Sequence, residues 1–153
     1  MKRTKPPKRA TAILAGDMHL REDVPICRLD DYWSAQIEKL GAIRELQIRH
    51  QCPIIHSGDL FNHWKPSPHL LTTAIEYLPE WLETVYGNHD LPQHNLDLTY
   101  KCGIRTLEAA DKIEVLLEAH WGENPENGRG AGRWVLRSPP ILAPGGGWLT
   151  VVR

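Results

Sequence analysis

Short apolar segments recur along the chain and are separated by longer stretches of mixed polarity. Four of these segments are four or five residues long and mostly apolar or β-branched, which predicts β-strands over residues 11–15, 53–56, 82–86 and 113–117. The first segment contains no charged residue and shows no alternation of polar and apolar positions. We therefore expect its strand to be covered on both faces of the sheet.

Helical periodicity fills the intervals between the predicted strands. Aspartates at 30–31 can cap a helix that runs to about His50. Its predicted apolar face consists of residues three or four positions apart, namely Leu29, Trp33, Ile37, Leu40 and Ile43. A second helix is predicted over 68–78, beginning with a proline suited to the first turn, and a weaker third over 97–110. This alternation predicts an α/β fold with a parallel sheet and helices on its faces.

The two ends of the chain differ from this central region. Residues 1–10 form a predicted basic, flexible arm, and residues 11–153 a single domain. A net charge of −1 gives the whole chain no bulk attraction to nucleic acid, although the cations of the arm could contact phosphates. Residues 118–153 are irregular. We predict a flexible hairpin loop over 122–132 and two short strands, at 134–136 and 148–152.

Polar side chains follow three of the predicted strands at the point where each strand ends. Asp17 and His19 follow the first strand, Asp59 follows the second, and Asn88 follows the third. The carboxyl ends of parallel strands meet at one edge of a sheet, where α/β proteins bind ligands. Carboxylate and imidazole groups suit manganese, iron, zinc or nickel, and Asp59 has two oxygens that can bridge two ions. The pattern predicts a site for two divalent ions that clamp a phosphate ester and activate a water.

The residues around Asn88 predict the rest of the site. His89 is placed to stabilise phosphoryl oxygens or to protonate the leaving alkoxide, and Asp90 is expected to hold its ring by a hydrogen bond. His63 follows Asp59 by four residues, and His94 follows His89 by five. We interpret His63 and His94 as rim residues that contact the substrate.

Three ordered motifs carry a resemblance to a known family: Asp17-x-His19, Gly58-Asp59 and Gly87-Asn88-His89-Asp90. They resemble the first three motifs of the calcineurin-like metallophosphoesterases, and the resemblance covers roughly residues 11–117. The longer phrases at 57–61 and 87–92 are similar to the branch that contains DNA-repair exonucleases and their phage relatives. The resemblance implies a sandwich fold, in minimal or truncated form, with its metal site at the C-terminal ends of the strands. It also implies residue roles: Asp17, His19 and Asp59 at one ion, Asp59 and Asn88 at a second, and His89 in catalysis.

The chain departs from the family pattern after its third motif. Family members normally continue with another histidine and a Gly-His-x-His motif, and neither occurs in that form here. The second ion is therefore short of ligands. Water, a neighbouring subunit, His94 or His120 are the alternatives for completing it.

The sequence predicts a metal-dependent phosphoesterase that hydrolyses phosphodiester bonds, in nucleic acid such as DNA or in small molecules, through a metal-activated water. Two divalent ions are expected, manganese first, with iron, zinc or nickel as alternatives. The alternative function is a truncated, weakly active or inactive metal-binding fragment that needs a partner chain. Three widely spaced cysteines and the lack of a long apolar segment predict a cytoplasmic protein without membrane contact. Exposed sheet edges predict a homo-oligomer.

Overall fold

The computed structural model describes residues 10–116, 118–122 and 133–137, with side chains as far as Leu116. These residues form, in chain order, β1 (Ile13–Ala15), α1 (Tyr32–His50), β2 (Ile54–His56), α2 (Pro68–Tyr77), β3 (Leu82–Thr84), α3 (Gly103–Ala109), β4 (Ile113–Val115), β5 (Glu118–Gly122) and β6 (Arg133–Arg137). Two short 3₁₀ helices, Pro92–His94 and Leu96–Lys101, precede α3. Most of the predicted arm (1–9), the predicted loop beyond Gly122 and the predicted strand 148–152 lie outside the described residues.

The first four strands form one parallel sheet in the order β1-β2-β3-β4. Ile13, Ile54, Leu82 and Ile113 stand side by side in its register. The predicted α/β class with a parallel sheet is confirmed, although each strand is shorter than its apolar segment. β5 and β6 pair antiparallel in a second, two-stranded sheet, and β6 includes the predicted strand 134–136.

All three helices pack on one face of the four-stranded sheet. The first and third residues of β2, β3 and β4 are buried on that face, and those of β1 are half-buried. The apolar residues among them share one core with α1, α2 and α3, to which the helices contribute Leu40, Leu70, Ala74, Ile104 and Leu107. Helices that connect sequential parallel strands through crossovers of one hand fall on the same side, so this arrangement follows from the strand order.

The middle residues of the four strands form the opposite face. They are Leu14, Ile55, Glu83 and Glu114, which lie in one row of the register. Leu14 is 58% exposed and Glu114 is also exposed. The prediction that the first strand is covered on both faces is therefore wrong, because an apolar run of this length cannot show on which side the helices lie.

Helix α1 begins where the aspartate pair predicts. Asp31 is its N-cap, and its carboxylate accepts a hydrogen bond from the Ser34 N–H (3.1 Å). Leu40 is buried, and Trp33 and Ile43 pack against the core. Leu29 was predicted on the same apolar face but is 101% exposed, because it precedes the cap and so does not follow the helical period.

The predicted third helix is divided at Cys102. Residues Leu96–Lys101 form a 3₁₀ helix, Cys102 is extended, and α3 starts at Gly103. The Gly103 N–H donates to the Trp64 carbonyl (2.8 Å), so a contact with the loop after β2 interrupts the helical hydrogen bonding. No helix in the described ranges is both long enough and apolar enough to cross a membrane.

Candidate metal centre

The loops after β1 and β2 are joined by backbone pairing that resumes beyond the strands. The last regular bond runs from the Ser57 N–H to the Ala15 carbonyl (3.0 Å), and the two chains then separate around Asp17. The parallel pairing then starts again. The His19 N–H donates to the Asp59 carbonyl (2.9 Å) and the Leu20 N–H to the Leu60 carbonyl (2.9 Å). The Leu20 carbonyl in turn accepts the Asn62 N–H (3.1 Å). The second stretch of pairing fixes His19 beside Asp59.

Asp17, His19 and Asp59 converge at this edge of the sheet. Each offers a ligand atom, and the three atoms lie within 4.8 Å of one another. All three residues have left-handed backbone conformations, with φ of 49°, 43° and 57°. Such conformations cost on the order of 1–3 kcal/mol each in a residue with a side chain and cluster at functional sites.

The donor set fits a divalent cation. Two carboxylates this close repel each other unless a positive charge lies between them. The His19 Nδ1 atom is buried and has no hydrogen-bond partner, so one polar atom of the cluster is left for a ligand to satisfy. Oxygen and imidazole nitrogen donors together suit manganese, iron, zinc or nickel. The structure thus brings together three of the four predicted metal ligands.

Two glycines allow the loops after β2 and β3 to interlock. Gly58 has φ of 95°, and a Cβ atom there would collide with the backbone of Gly87. A Cβ atom on Gly87 would collide with the backbone and carboxylate of Asp59. The His89 N–H donates to Asp59 Oδ1 (2.8 Å), so the loop after β3 holds this carboxylate from the other side.

Asp90 does not hold the His89 ring, as the sequence had predicted. It is 1% exposed, and its carboxylate accepts three backbone N–H groups, from Leu60 (3.3 Å), Phe61 (3.1 Å) and Gly87 (3.0 Å). Burial raises the pKa of Asp90, while the backbone hydrogen bonds from these loops oppose the rise. Asp90 therefore joins the loop after β2 to the loop after β3. The predicted hydrogen bond from Asp90 to the His89 ring is wrong, because the Asp90 carboxylate is taken up by backbone donors, two of them from a loop about 30 residues earlier.

The His89 ring is oriented by a different partner. Its Nδ1 lies 2.9 Å from the Asn62 carbonyl, which can only accept, so Nδ1 carries the hydrogen. The ring also meets the His19 ring edge to face, with centroids 4.7 Å apart and planes at 87°. His89 is exposed, and its Nε2 atom is free of the contact that fixes the ring. The structure thus leaves Nε2 as the atom that can exchange a proton with a ligand.

Asn88 and His94 lie at the exposed rim of the site. The His94 Nδ1–H donates to the Asn88 main-chain carbonyl (3.1 Å), and both residues are exposed. His94 is outside the group of three donors formed by Asp17, His19 and Asp59. The roles of Asn88 as a ligand and of His94 as a substrate contact remain predictions. The side chain of His120, in β5, is outside the described residues.

His63 borders a cleft of about 260 Å³ next to these loops. The cleft lies between residues 20–23, which follow His19, and residues 62–67, which follow Asp59. His63 is exposed, and its Nδ1 accepts the Lys65 N–H (3.2 Å), which leaves a hydrogen on Nε2 when the ring is neutral. His63 is therefore a rim residue, and its contact with a substrate remains a prediction.

His56 is fully buried on the helix side of β2. Its Nδ1 lies 2.9 Å from Thr84 Oγ1, and the Thr84 hydroxyl donates to the Val85 carbonyl (3.1 Å), so His56 donates through Nδ1–H. Burial lowers the pKa of His56 to about 4, against the opposing charges of Asp17 and Asp59. The ring is thus neutral, and its buried Nε2 has no hydrogen-bond partner among the described residues.

Sequence reasoning did not identify Gln36, which contacts the loop that carries His19. The available signal was a polar residue on the apolar stripe of α1, three positions after Trp33 and four before Leu40. The Asn62 carbonyl was also missed, since a main-chain group has no sequence signature. Comparison with protein-family models found none that matches the chain, and a search of curated proteins found no match either.

Proposed function

We propose that this protein is a metal-dependent phosphoesterase that hydrolyses phosphodiester bonds. The observation that carries the proposal is the group formed by Asp17, His19 and Asp59, whose three ligand atoms lie within 4.8 Å at the carboxyl edge of a parallel sheet. The left-handed backbone of all three residues and the unpartnered His19 Nδ1 support it. We also propose that the fold is a calcineurin-like metallophosphoesterase sandwich, on the basis of the three sequence motifs.

Asp17, His19 and Asp59 would hold a divalent ion, and Asp59 with Asn88 would hold a second. When bound, such ions polarise a phosphoryl oxygen and lower the pKa of water. The protein's own contribution is positional. The His89 N–H fixes Asp59 Oδ1, so the carboxylate is oriented before a ligand arrives.

His89 is the proton-transfer group of the proposed site. Its Nδ1–H is committed to the Asn62 carbonyl, and its Nε2 remains for the leaving alkoxide of a phosphodiester. The cleft beside His63 adjoins the same two loops and offers room for the part of the substrate that flanks the reacting phosphate. Nucleic-acid strands such as DNA are the first substrates to test, followed by small phosphodiesters.

Hydrolysis of bis-p-nitrophenyl phosphate with added manganese, nickel, zinc or iron tests the proposal. Asp59→Asn should lower turnover by about 10²–10³-fold, the range known for loss of one group that stabilises transition-state charge. His89→Ala should lower it by about 10²–10⁴-fold. Gly41→Ala is the control, because a Cβ atom there has no neighbour within 4 Å. Absence of turnover by the wild-type chain with all four metals would reject the enzyme proposal.

A second candidate function is an incomplete metal-binding chain with little activity of its own. It is favoured by the contrast between the three converged donors and the exposed Asn88 and His94 at the rim. Metal content per chain separates the two candidates: two ions support a binuclear enzyme, and one or fewer supports the incomplete site. In the second case, adding a partner chain that supplies ligands should raise both metal content and turnover.

A further inference from the structure

Gln36 makes two hydrogen bonds to a single residue of the metal-binding loop. It lies in α1, is 7% exposed, and its side-chain amide donates to the Arg21 carbonyl (2.9 Å). Its side-chain oxygen accepts the Arg21 N–H (3.1 Å). This reciprocal pairing is the one that a neighbouring strand would make, and turning the amide over would place like groups against each other at both positions.

The paired residue continues the segment that carries His19. On one side, this segment is bonded to the loop after β2 through the His19 and Leu20 N–H groups. On the other side, Gln36 holds Arg21. His19 has φ of 43°, a conformation that persists only when its surroundings enforce it. The segment is thus held on one side by the backbone of the loop after β2 and on the other side by the Gln36 side chain.

We propose that Gln36 is a positioning residue that sets the metal affinity of the site through His19. The inference rests on the proposed function, since it needs Asp17, His19 and Asp59 to bind an ion. Without the Gln36 amide, the partly buried N–H and carbonyl of Arg21 lose their partners and must move to reach water. His19 would then leave the position in which its ligand atom lies within 4.8 Å of the other two.

The chain offers a matched control in Gln47. It lies in the same helix, is also 7% exposed, and its amide contacts the carbonyls of Glu80 (3.3 Å) and Trp81 (3.4 Å). These carbonyls precede β3, at the end of the sheet opposite the metal centre. Replacing either glutamine by methionine keeps the side-chain length and removes its hydrogen bonds, so the two variants differ in which end of the sheet is released.

The experiment measures manganese binding to the full chain by calorimetry, with the melting temperature of each metal-free variant. Gln36→Met should weaken manganese binding by about 10–100-fold, the range for groups that orient metal ligands. Gln47→Met should lower the melting temperature but leave the manganese affinity within about twofold of wild type. Gln36→Glu retains an acceptor for the Arg21 N–H but places a second acceptor against the Arg21 carbonyl, so it should also weaken manganese binding.

Amide hydrogen exchange provides a readout that needs no metal. In the metal-free chain, the Arg21 N–H should exchange faster in Gln36→Met than in Gln47→Met. Equal manganese affinity in wild type and Gln36→Met, or equal weakening by both glutamine variants, would overturn the inference while leaving the proposed function intact. Failure of the wild-type chain to bind manganese would overturn this inference. The proposed function would then be tested separately, by turnover with nickel, zinc or iron.

Discussion

The candidate site has two halves that differ in how they are held. The β1–β2 half contains Asp17, His19 and Asp59, and backbone pairing between the two loops brings these residues together. The β3 half contains Asn88, His89 and His94, which are exposed. The first half is an extension of the sheet, whereas the second is a loop that docks against it. The difference indicates that His19 and Asp59 are positioned by backbone hydrogen bonds between two loops, whereas the side chains of the β3 half lie on a docked loop.

The connection between the halves depends on carboxylates. Asp90 binds N–H groups from both loops, and Asp59 accepts the N–H of His89. Among the residues that the structure describes, no run of backbone-to-backbone hydrogen bonds joins the loop after β2 to the loop after β3. The two halves can therefore be distinguished by removing the carboxylate that links them and by changing residues in each half separately.

Replacing Asp90 should have the largest effect. Asp90→Ala leaves three backbone N–H donors without an acceptor, at about 1–3 kcal/mol each, so the free energy of unfolding should fall by about 5 kcal/mol. Denaturant unfolding of the metal-free chain measures this change. His89→Ala is the control and should cost less than about 1 kcal/mol, because the side chain is exposed. Equal losses in the two variants would contradict the assigned role of Asp90.

Adding a side-chain atom where the two loops interlock should have the next largest effect. Gly87→Ala introduces a Cβ atom against the backbone and carboxylate of Asp59, and overpacking of this kind costs about 3 kcal/mol. Manganese affinity should fall in parallel, because Asp59 must move. Gly41→Ala adds the same atom without any neighbour within 4 Å and should stabilise α1 by about 0.5–1 kcal/mol. A Gly87→Ala chain with unchanged stability would show that the loops are not tightly interlocked.

The sequence predicts the four parallel strands and the three converging residues well, because both follow from local signals. Apolar runs mark β1 to β4, and polar residues at strand ends mark Asp17, His19 and Asp59. Which face of the sheet the helices cover is not encoded in any one strand, and this is why the exposure of Leu14 was not anticipated.

The partners of polar side chains were harder to predict. Asp90 follows His89 in sequence, which suggests a contact between them, yet its donors include Leu60 and Phe61 from another loop. The bonds of Gln36 to Arg21 join an apolar helix stripe to a loop. Such contacts depend on how the loops pack in three dimensions, so no spacing rule along the chain identifies them.

His56 gives the β1–β2 half a pH dependence of its own. Its pKa of about 4 lies below the ordinary 6.5, so the unfolded chain binds more protons between these values and the free energy of unfolding falls as the pH drops through them. At about 1.4 kcal/mol per pKa unit, the loss from pH 7 to pH 5 is about 2 kcal/mol. In metal-free His56→Gln, which can still donate to Thr84, this part of the loss should disappear. An identical pH dependence in both chains would refute the neutral, buried state of His56.

The smallest effect on stability is expected in the β3 half. Asn88→Ala removes an exposed side chain and should change the free energy of unfolding by less than about 0.5 kcal/mol. Under the binuclear proposal, calorimetry should show the tighter manganese ion retained and the weaker one lost. Asp17→Ala is the matched change in the other half and should remove the tighter ion. Loss of both ions in Asn88→Ala would mean that the two halves bind metal as one unit.

The pairing of His19, Leu20 and Asn62 beyond the ends of β1 and β2 has a consequence for the timescale of motion. Amide groups in functional loops usually exchange with solvent through small local openings. Here the N–H groups beside the ligands are hydrogen-bonded as a continuation of the central strands. Their exchange should therefore be as slow as that of the sheet itself, and the backbone beside His19 and Asp59 should stay in place while an ion binds or leaves.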